Sequence, residues 1–306
     1  MLSPRRSGGD LLELIGGTPV VRLRRLAPPG IEVLVKLEYL NPTGSHKDRI
    51  ALYMVRDAVE GLKLGRGDVV VEASSGNTAI AVTFVSKFYE LKPVVVVEEE
   101  ASPEKVAVLR LMGAEVIYGS SDPSSPRYYV RVAREVASER GGVFLNQYEN
   151  PANVRAHYET TAREIWEATG GEVTAFVMGV GTGGTITGVG SFLKERSKGI
   201  GVYAVTPRGS RLVGGPGEDY IDGLASKNVY PNFDRGVVDG IVEVSRSEAL
   251  DMCRRLAEVE GILGGPSTGA NVYASLSIAR SLPSGSRVVT IAPDTAFKYL
   301  GALMRP

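Results

Sequence analysis

The stretch Ala175-Phe176-Val177-Met178-Gly179-Val180-Gly181-Thr182-Gly183-Gly184-Thr185-Ile186-Thr187-Gly188 decides how the rest of the chain is read. Its first four residues are apolar, the length of a short buried strand, and a helical pattern follows over 184–197. Between them stand glycines 179, 181, 183 and 184, and four glycines in six residues cost backbone entropy that packing alone need not demand. Glycines let the backbone approach an anion, and the hydroxyls of Thr182 and Thr185 add hydrogen bonds beside the N–H groups of a helix start. The spacing is not that of a dinucleotide fingerprint, because residue 186 is Ile, and the lysine of a nucleotide P-loop is missing. A single phosphate monoester therefore fits better than a pyrophosphate. A plain tight turn is the alternative.

The same strand, loop and helix order recurs along the chain. Short β-branched runs at 33–37, 69–71, 94–97, 115–118, 143–145, 202–205, 238–244 and 288–291 read as further strands. The run Val94-Val95-Val96-Val97 has no polar alternation, which suits a strand buried on both faces. Helical patterns fall at 46–61, 77–90, 103–112, 127–140, 152–169, 246–260, 268–281 and 295–302. Ser102-Pro103-Glu104 reads as an N-cap, a first-turn proline and an early acid. Regular alternation predicts an α/β fold with mainly parallel sheets covered by helices. The 306 residues suggest about two domains, with a boundary near 145–150, where Asn146, Asn150 and Pro151 cluster. Residues 207–231 are glycine-rich and read as a long loop, a kind that often carries function.

Composition narrows the function. Thirty-five basic and 35 acidic side chains give zero formal charge, whereas a nucleic-acid binder shows a basic excess. Apolar residues make up 43% and charged residues 23%, an ordinary globular balance. One cysteine, Cys253, requires no oxidising compartment, and two distant histidines, His46 and His157, make a histidine or cysteine metal site improbable. Arg5 and Arg6 precede a stretch broken by Glu13, Gly16 and Gly17, which is not the apolar centre of a signal peptide. No run approaches the roughly 20 apolar residues that span a bilayer. The expected compartment is the cytoplasm, with no membrane and no nucleic-acid partner. Only ten of the basic residues are lysines, so a lysine in a special setting stands out.

Three further loops open helices. Asn41-Pro42-Thr43-Gly44-Ser45-His46-Lys47-Asp48-Arg49 places Lys47 in a first helical turn, where the helix dipole disfavours a cation. A lysine so placed is more readily neutral, and a neutral amine forms a Schiff base with a carbonyl; a solvated surface lysine is the alternative. Glu72-Ala73-Ser74-Ser75-Gly76-Asn77-Thr78-Ala79 outlines a carboxylate or phosphate receptor, or an ordinary N-cap. Gly264-Gly265-Pro266-Ser267-Thr268-Gly269-Ala270-Asn271, alone, is a serine cap after a turn. Ligands of open α/β folds gather outside the carboxyl ends of the strands, so the four loops imply one composite site. A Schiff-base lysine, a monophosphate cradle and a carboxylate cradle are together satisfied by a phosphorylated aldehyde cofactor acting on an amino acid.

On these residues the chain resembles the cysteine synthase and cystathionine β-synthase family of fold-type-II pyridoxal-phosphate enzymes. Five blocks carry the resemblance: residues 41–49, 72–78, 146–166, 179–187 and 261–270. The block Asn146-Gln147-Tyr148-Glu149-Asn150-Pro151-Ala152-Asn153, continued by His157, Thr160, Thr161 and Glu164-Ile165-Trp166, is specific to this branch. The resemblance implies two domains, each a twisted, mainly parallel sheet flanked by helices as in tryptophan synthase β. Residues 40–145 would form a small, mobile N-terminal domain, and 1–39 with 146–306 the larger cofactor-binding domain. A homodimer is also implied.

The roles implied are specific. Lys47 would form the Schiff base with pyridoxal 5′-phosphate and shuttle the substrate Cα proton. Asn77 would bond the cofactor's 3′ oxygen, Gly181, Thr182, Gly183, Gly184 and Thr185 its phosphate, and Ser267 its pyridine nitrogen. Ser74, Ser75, Gly76, Thr78 and Gln147 would hold the substrate carboxylate, with Gly223 also at the substrate. Tyr148 and Glu149 read as structural, and His46 as a helix-start residue rather than a proton relay. No metal is expected. A serine cannot hold a proton on the pyridine nitrogen as a carboxylate would, so the ring is a weaker electron sink. The implied chemistry is β-replacement on an activated L-serine through an aminoacrylate, with sulfide as nucleophile to give L-cysteine. The donor would be acetylserine, phosphoserine or serine. Serine with homocysteine, giving cystathionine, is the near alternative, and a non-catalytic binding or regulatory protein on the same fold is the distant one. The chain departs from the family at Tyr220-Ile221-Asp222-Gly223-Leu224-Ala225-Ser226, where a run of the form Gly-Ile-Gly-x-Gly-Phe is usual, at Ala162 and at His46. Arg208, Arg211 and Lys227 are solvated loop cations or receptors for a phosphorylated leaving group.

Overall fold

The computed structural model describes residues 10–304. Arg5 and Arg6, on which part of the leader-segment reading rests, lie outside them. Ten strands form: Val20–Arg22 (β1), Glu32–Leu37 (β2), Val69–Ala73 (β3), Lys92–Glu98 (β4), Glu115–Gly119 (β5), Val143–Phe144 (β6), Ala175–Gly179 (β7), Gly201–Pro207 (β8), Gly240–Val244 (β9) and Arg287–Ala292 (β10). The α-helices are Lys47–Leu62 (α1), Asn77–Phe88 (α2), Pro103–Leu111 (α3), Tyr129–Glu139 (α4), Pro151–Ala156 (α5), Ala162–Ala168 (α6), Gly184–Arg196 (α7), Arg246–Arg255 (α8), Pro266–Ala279 (α9) and Leu300–Leu303 (α10).

The chain divides into two compact units. The first takes residues 10–17, 41–43 and 47–144, and the second 18–40, 44–46 and 145–304. In the first unit four parallel strands run in the order β5-β4-β3-β6. In the second, six run β1-β2-β10-β7-β8-β9, parallel except for β1.

Both sheets are covered on both faces, and this explains the unbroken apolar runs. Val94 and Val96 pack with Ala133 and Val136 of α4, while Val95 and Val97 pack with Ile80 of α2 and Leu109 of α3. In the second unit Ala175 and Val177 join Ala249 and Met252 of α8 and Ala270 and Ala274 of α9. Phe176 and Met178 join Ile165 of α6 and Ile186, Val189 and Phe192 of α7. Successive side chains of a strand point to opposite faces, so a doubly covered strand needs apolar residues at every position. Each fully buried valine or isoleucine contributes about 1.5–3 kcal/mol.

Three expected helices end differently. The span 152–169 is α5, a π-helical turn His157–Thr161, and α6. The span 246–260 is α8 followed by a π-helical turn Leu256–Glu260, which stops at Gly261 in the left-handed conformation. The span 295–302 reduces to a 3-10 turn Ala296–Lys298 and the four-residue α10. Strand β1 was not expected; three residues on a sheet edge leave too short a run to show a period.

Asn271 ties the functional end of the second sheet together. Its Oδ1 accepts the Gly179 N–H at 2.8 Å, and its Nδ2 donates to the Ile291 carbonyl at 2.9 Å. One buried amide thus closes the ends of β7 and β10 onto α9. Asn271→Ala strands a buried donor and a buried acceptor, and should cost about 2–4 kcal/mol in urea unfolding; a loss within about 0.5 kcal/mol would remove Asn271 from this role.

Candidate active site

The second unit contributes the loop between β7 and α7. Gly183 is left-handed (φ 89°), and a Cβ there would lie 2.5 Å from Phe233. A Cβ at Gly181 would lie 2.7 Å from the Gly223 carbonyl oxygen, and one at Gly184 would strike the Asn153 side-chain amide. Side chains are thus excluded three times in four residues. The first N–H groups of any helix lack an intrahelical acceptor, and for those of α7 the N-cap, Gly183, has no side chain to supply one. Thr182 and Thr185 are buried beside them. A bare helix start with two buried hydroxyls and no room for side chains fits one phosphate group.

The loop is supported from behind. Asn153 donates from Nδ2 to the Gln147 carbonyl at 2.8 Å and to Thr182 Oγ1 at 3.0 Å. The fully buried His157 ring meets Thr185 Oγ1 at 3.1 Å through Nε2 and Thr161 Oγ1 at 2.9 Å through Nδ1. The Asp234 N–H donates to Thr187 Oγ1 at 2.9 Å. The Ala225 N–H donates to the Val180 carbonyl at 2.8 Å, joining the long loop to the same place.

Ser267, in the first turn of α9, is buried, and Gly223 closes onto it: a Cβ at Gly223 (φ 88°) would come within 3.3 Å of Ser267 Oγ. The second unit therefore brings together Gly181, Gly223 and Ser267 from three separate loops. Cys253 donates from Sγ to the Gly265 carbonyl at 3.1 Å, and burial pushes its thiol up to about 12, so it is a structural rather than a reactive thiol. Gln147 is buried and its carbonyl also accepts from Asn232 Nδ2 at 2.9 Å. Tyr148 stacks on Tyr230 with ring centroids 4.4 Å apart.

In the first unit Lys47 is the first residue of α1. Asp48 accepts from the Thr43 N–H at 2.8 Å and from the Thr43 hydroxyl, which fixes the turn entering the helix. Between β3 and α2, Ser74 Oγ accepts from the Gly76 N–H at 3.2 Å. Ser75 Oγ accepts from the Glu98 N–H at 2.8 Å and donates to the Glu98 carboxylate at 3.2 Å. Asn77 opens α2 behind Gly76, which supplies no side-chain cap and whose Cβ position faces open space; Thr78 is buried. This too is a loop that leads from a strand end into a helix start.

A family profile of pyridoxal-phosphate-dependent enzymes matches residues 11–294. The chain belongs to this family. The cofactor of the enzyme is pyridoxal phosphate, and its fold is that of the fold-type-II members. A cysteine synthase of Staphylococcus aureus is 38% identical over 295 residues, 95% of each chain. A cystathionine β-synthase of Apis mellifera is 38% identical over 305 residues, 95% of this chain and 60% of that one. Among solved structures, an O-ureido-L-serine synthase matches with TM-score 0.91 at 38% identity over 95% of this chain and 93% of that one. An O-acetyl serine sulfhydrylase of Entamoeba histolytica matches with TM-score 0.91 at 33% identity, over 98% and 92%. Among the described residues no cluster of histidine, cysteine, aspartate or glutamate is placed to hold a metal ion, and no helix is long and apolar enough to cross a membrane.

The residues that sequence reasoning left without a role are Asn153, His157, Thr161 and Phe233. Three of them lie in the 146–166 block, whose specificity to this branch was the available signal. Of the loop cations, Arg208 is exposed and paired with Glu248 at 3.1 Å, and Arg211 and Lys227 are exposed. Glu248 also accepts from Ser245, closing the capping box of α8, and from the Tyr273 hydroxyl at 2.7 Å. The Ser245 N–H and hydroxyl, then Tyr273 and Arg208, hold its carboxyl down to about 2 from an ordinary 4.5. A depressed carboxyl stabilises the fold fully above its ordinary value and loses that contribution as pH falls towards its folded value. The urea midpoint of the parent should therefore exceed that of Glu248→Gln by a constant margin near neutrality, and the margin should shrink between about pH 5 and pH 2. A margin independent of pH would contradict the assignment.

Proposed function

We propose that the enzyme replaces the β-substituent of an activated L-serine with sulfide, giving L-cysteine. The observation that carries the reading is the loop Gly181–Thr185, sized and equipped for one phosphate at the head of α7. Similarity to cysteine synthases along nearly the whole chain supports the reaction class.

Bound pyridoxal phosphate supplies an electron sink for the bonds at the substrate Cα. Lys47 Nζ carries the cofactor and takes and returns the Cα proton. Asn77 holds the 3′ oxygen, Gly181, Thr182, Gly183, Gly184 and Thr185 the phosphate, and Ser267 the ring nitrogen. Ser74, Ser75, Gly76, Thr78 and Gln147 hold the substrate carboxylate. The hydroxyl of Ser75 already bonds Glu98, so its share falls to its backbone N–H. Gly223 keeps the space beside Ser267 clear. Ser267 is a neutral partner that does not fix a proton on the ring nitrogen, which weakens electron withdrawal and favours loss of a β-leaving group over exchange at Cα. The reading includes a homodimer acting in the cytoplasm; sedimentation giving twice the chain mass checks the first point.

A second nucleophile is favoured by the match to an O-ureido-L-serine synthase, whose product would arise by the same replacement with a hydroxylated urea. A panel of acetylserine, phosphoserine and serine, each with sulfide, homocysteine or hydroxyurea, separates the readings. Acetylserine with sulfide is expected to give the highest kcat/KM. Cystathionine or ureidoserine formed faster from any donor would displace the proposal. Lys47→Ala should lower turnover by about 10³-fold or more and abolish the visible absorption of the purified protein. Ser267→Asp should raise exchange of the Cα proton relative to β-replacement; an unchanged product ratio would count against the role given to the neutral hydroxyl.

A further inference from the structure

We infer that Asn153 and His157 set the direction of the two threonine hydroxyls in the phosphate loop, leaving both O–H groups to donate to the phosphate. The inference rests on the reading of Gly181–Thr185 as the cradle.

The proton inventory at Asn153 has one solution. The Gln147 carbonyl can only accept, so the side-chain atom 2.8 Å from it is Nδ2. The second hydrogen of that amide faces Thr182 Oγ1 at 3.0 Å. A hydroxyl oxygen that accepts there keeps its own hydrogen for another acceptor.

His157 lies four residues on, on the same helical face, and repeats the arrangement with Thr185. Two proton arrangements satisfy a neutral ring. In one, Nε2–H donates to Thr185 Oγ1 and the Thr161 hydroxyl donates to Nδ1; Thr185 then has its hydrogen for the phosphate. In the other, Thr185 gives its hydrogen to Nε2 and turns a lone pair towards the anion. A phosphate with only acceptor oxygens selects the first. The π-helical turn, in which the Ala162 N–H reaches back to the His157 carbonyl, keeps Thr161 Oγ1 2.9 Å from Nδ1. Such turns recur at functional sites. Glycine makes the approach to α7 possible: a Cβ at Gly188 would strike the Val154 carbonyl, and one at Gly184 the Asn153 side chain. Asn153 and His157 are thus positioning residues, acting on the cofactor through Thr182 and Thr185.

The first test needs no altered phosphate site. The chain has two histidines, so ¹⁵N spectra of histidine-labelled holoenzyme show two rings, assigned with His46→Asn. A hydrogen on His157 Nε2 is expected; an unprotonated Nε2 overturns the inference. The second test uses the full chain freed of cofactor, comparing dissociation constants for pyridoxal phosphate and for pyridoxal, which lacks the phosphate. Thr185→Val should weaken the first about tenfold or more and leave the second within about twofold. His157→Leu should show the same selective loss, and His157→Gln, which keeps an amide donor, should restore most of it. The double variant should be no weaker than Thr185→Val alone. Equal losses for both ligands, or additive losses in the double variant, would make His157 merely structural and overturn the inference while leaving the cradle intact. If Thr185→Val leaves the ratio unchanged, the cradle reading itself fails, and the inference with it.

Discussion

The close approach of α7 to α5 and the π-helical turn behind it is the constraint on which the second unit's site depends. At Gly184 and Gly188 the two segments come so near that no side chain fits between them. That proximity lets Asn153 and His157 reach Thr182 and Thr185, and it fixes where the first turn of α7 lies. One added methyl group would push the helix away from its own supports. The two glycines, four residues apart on one helical face, therefore act as a spacer of zero thickness.

The loops proposed as anion receptors use almost no formal charge. The loop 181–185 contains neither lysine nor arginine, and its donors are backbone N–H groups, two hydroxyls and a helix start. In a buried setting neutral donors with fixed directions are stronger than in water, and they need no counter-ion when the site is empty. Direction then matters more than charge, because a hydroxyl turned the wrong way presents a lone pair to the phosphate.

Much of this was legible beforehand because it is local. The apolar run 94–97 announced a strand covered on both faces, and the glycine pattern after residue 178 announced a tight turn into a helix, since strand, turn and helix start are contiguous there. The Schiff-base reading of Lys47 came from its place at a helix start and the roles of Asn77 and Ser267 from resemblance; the structure places each in the first turn of a helix. The supports were not legible. Asn153 and Thr182 are 29 residues apart, His157 and Thr185 28, and Asn271 and Gly179 92; no periodicity couples such pairs. The π-helical turns also escaped, because one extra residue in a turn leaves an amphipathic pattern nearly unchanged.

The sequence by itself determined the α/β class, the positions of nine of the ten strands and most of the helices, and the uncharged character of loop 181–185. These follow from side-chain period and from residues adjacent in the chain. Only the tertiary structure decided which side chains stand behind that loop and that Gly223 and Gly181 meet beside Ser267. Those depend on how closely helices pack, and packing distance is set by glycines whose purpose shows only when the opposing backbone is in place.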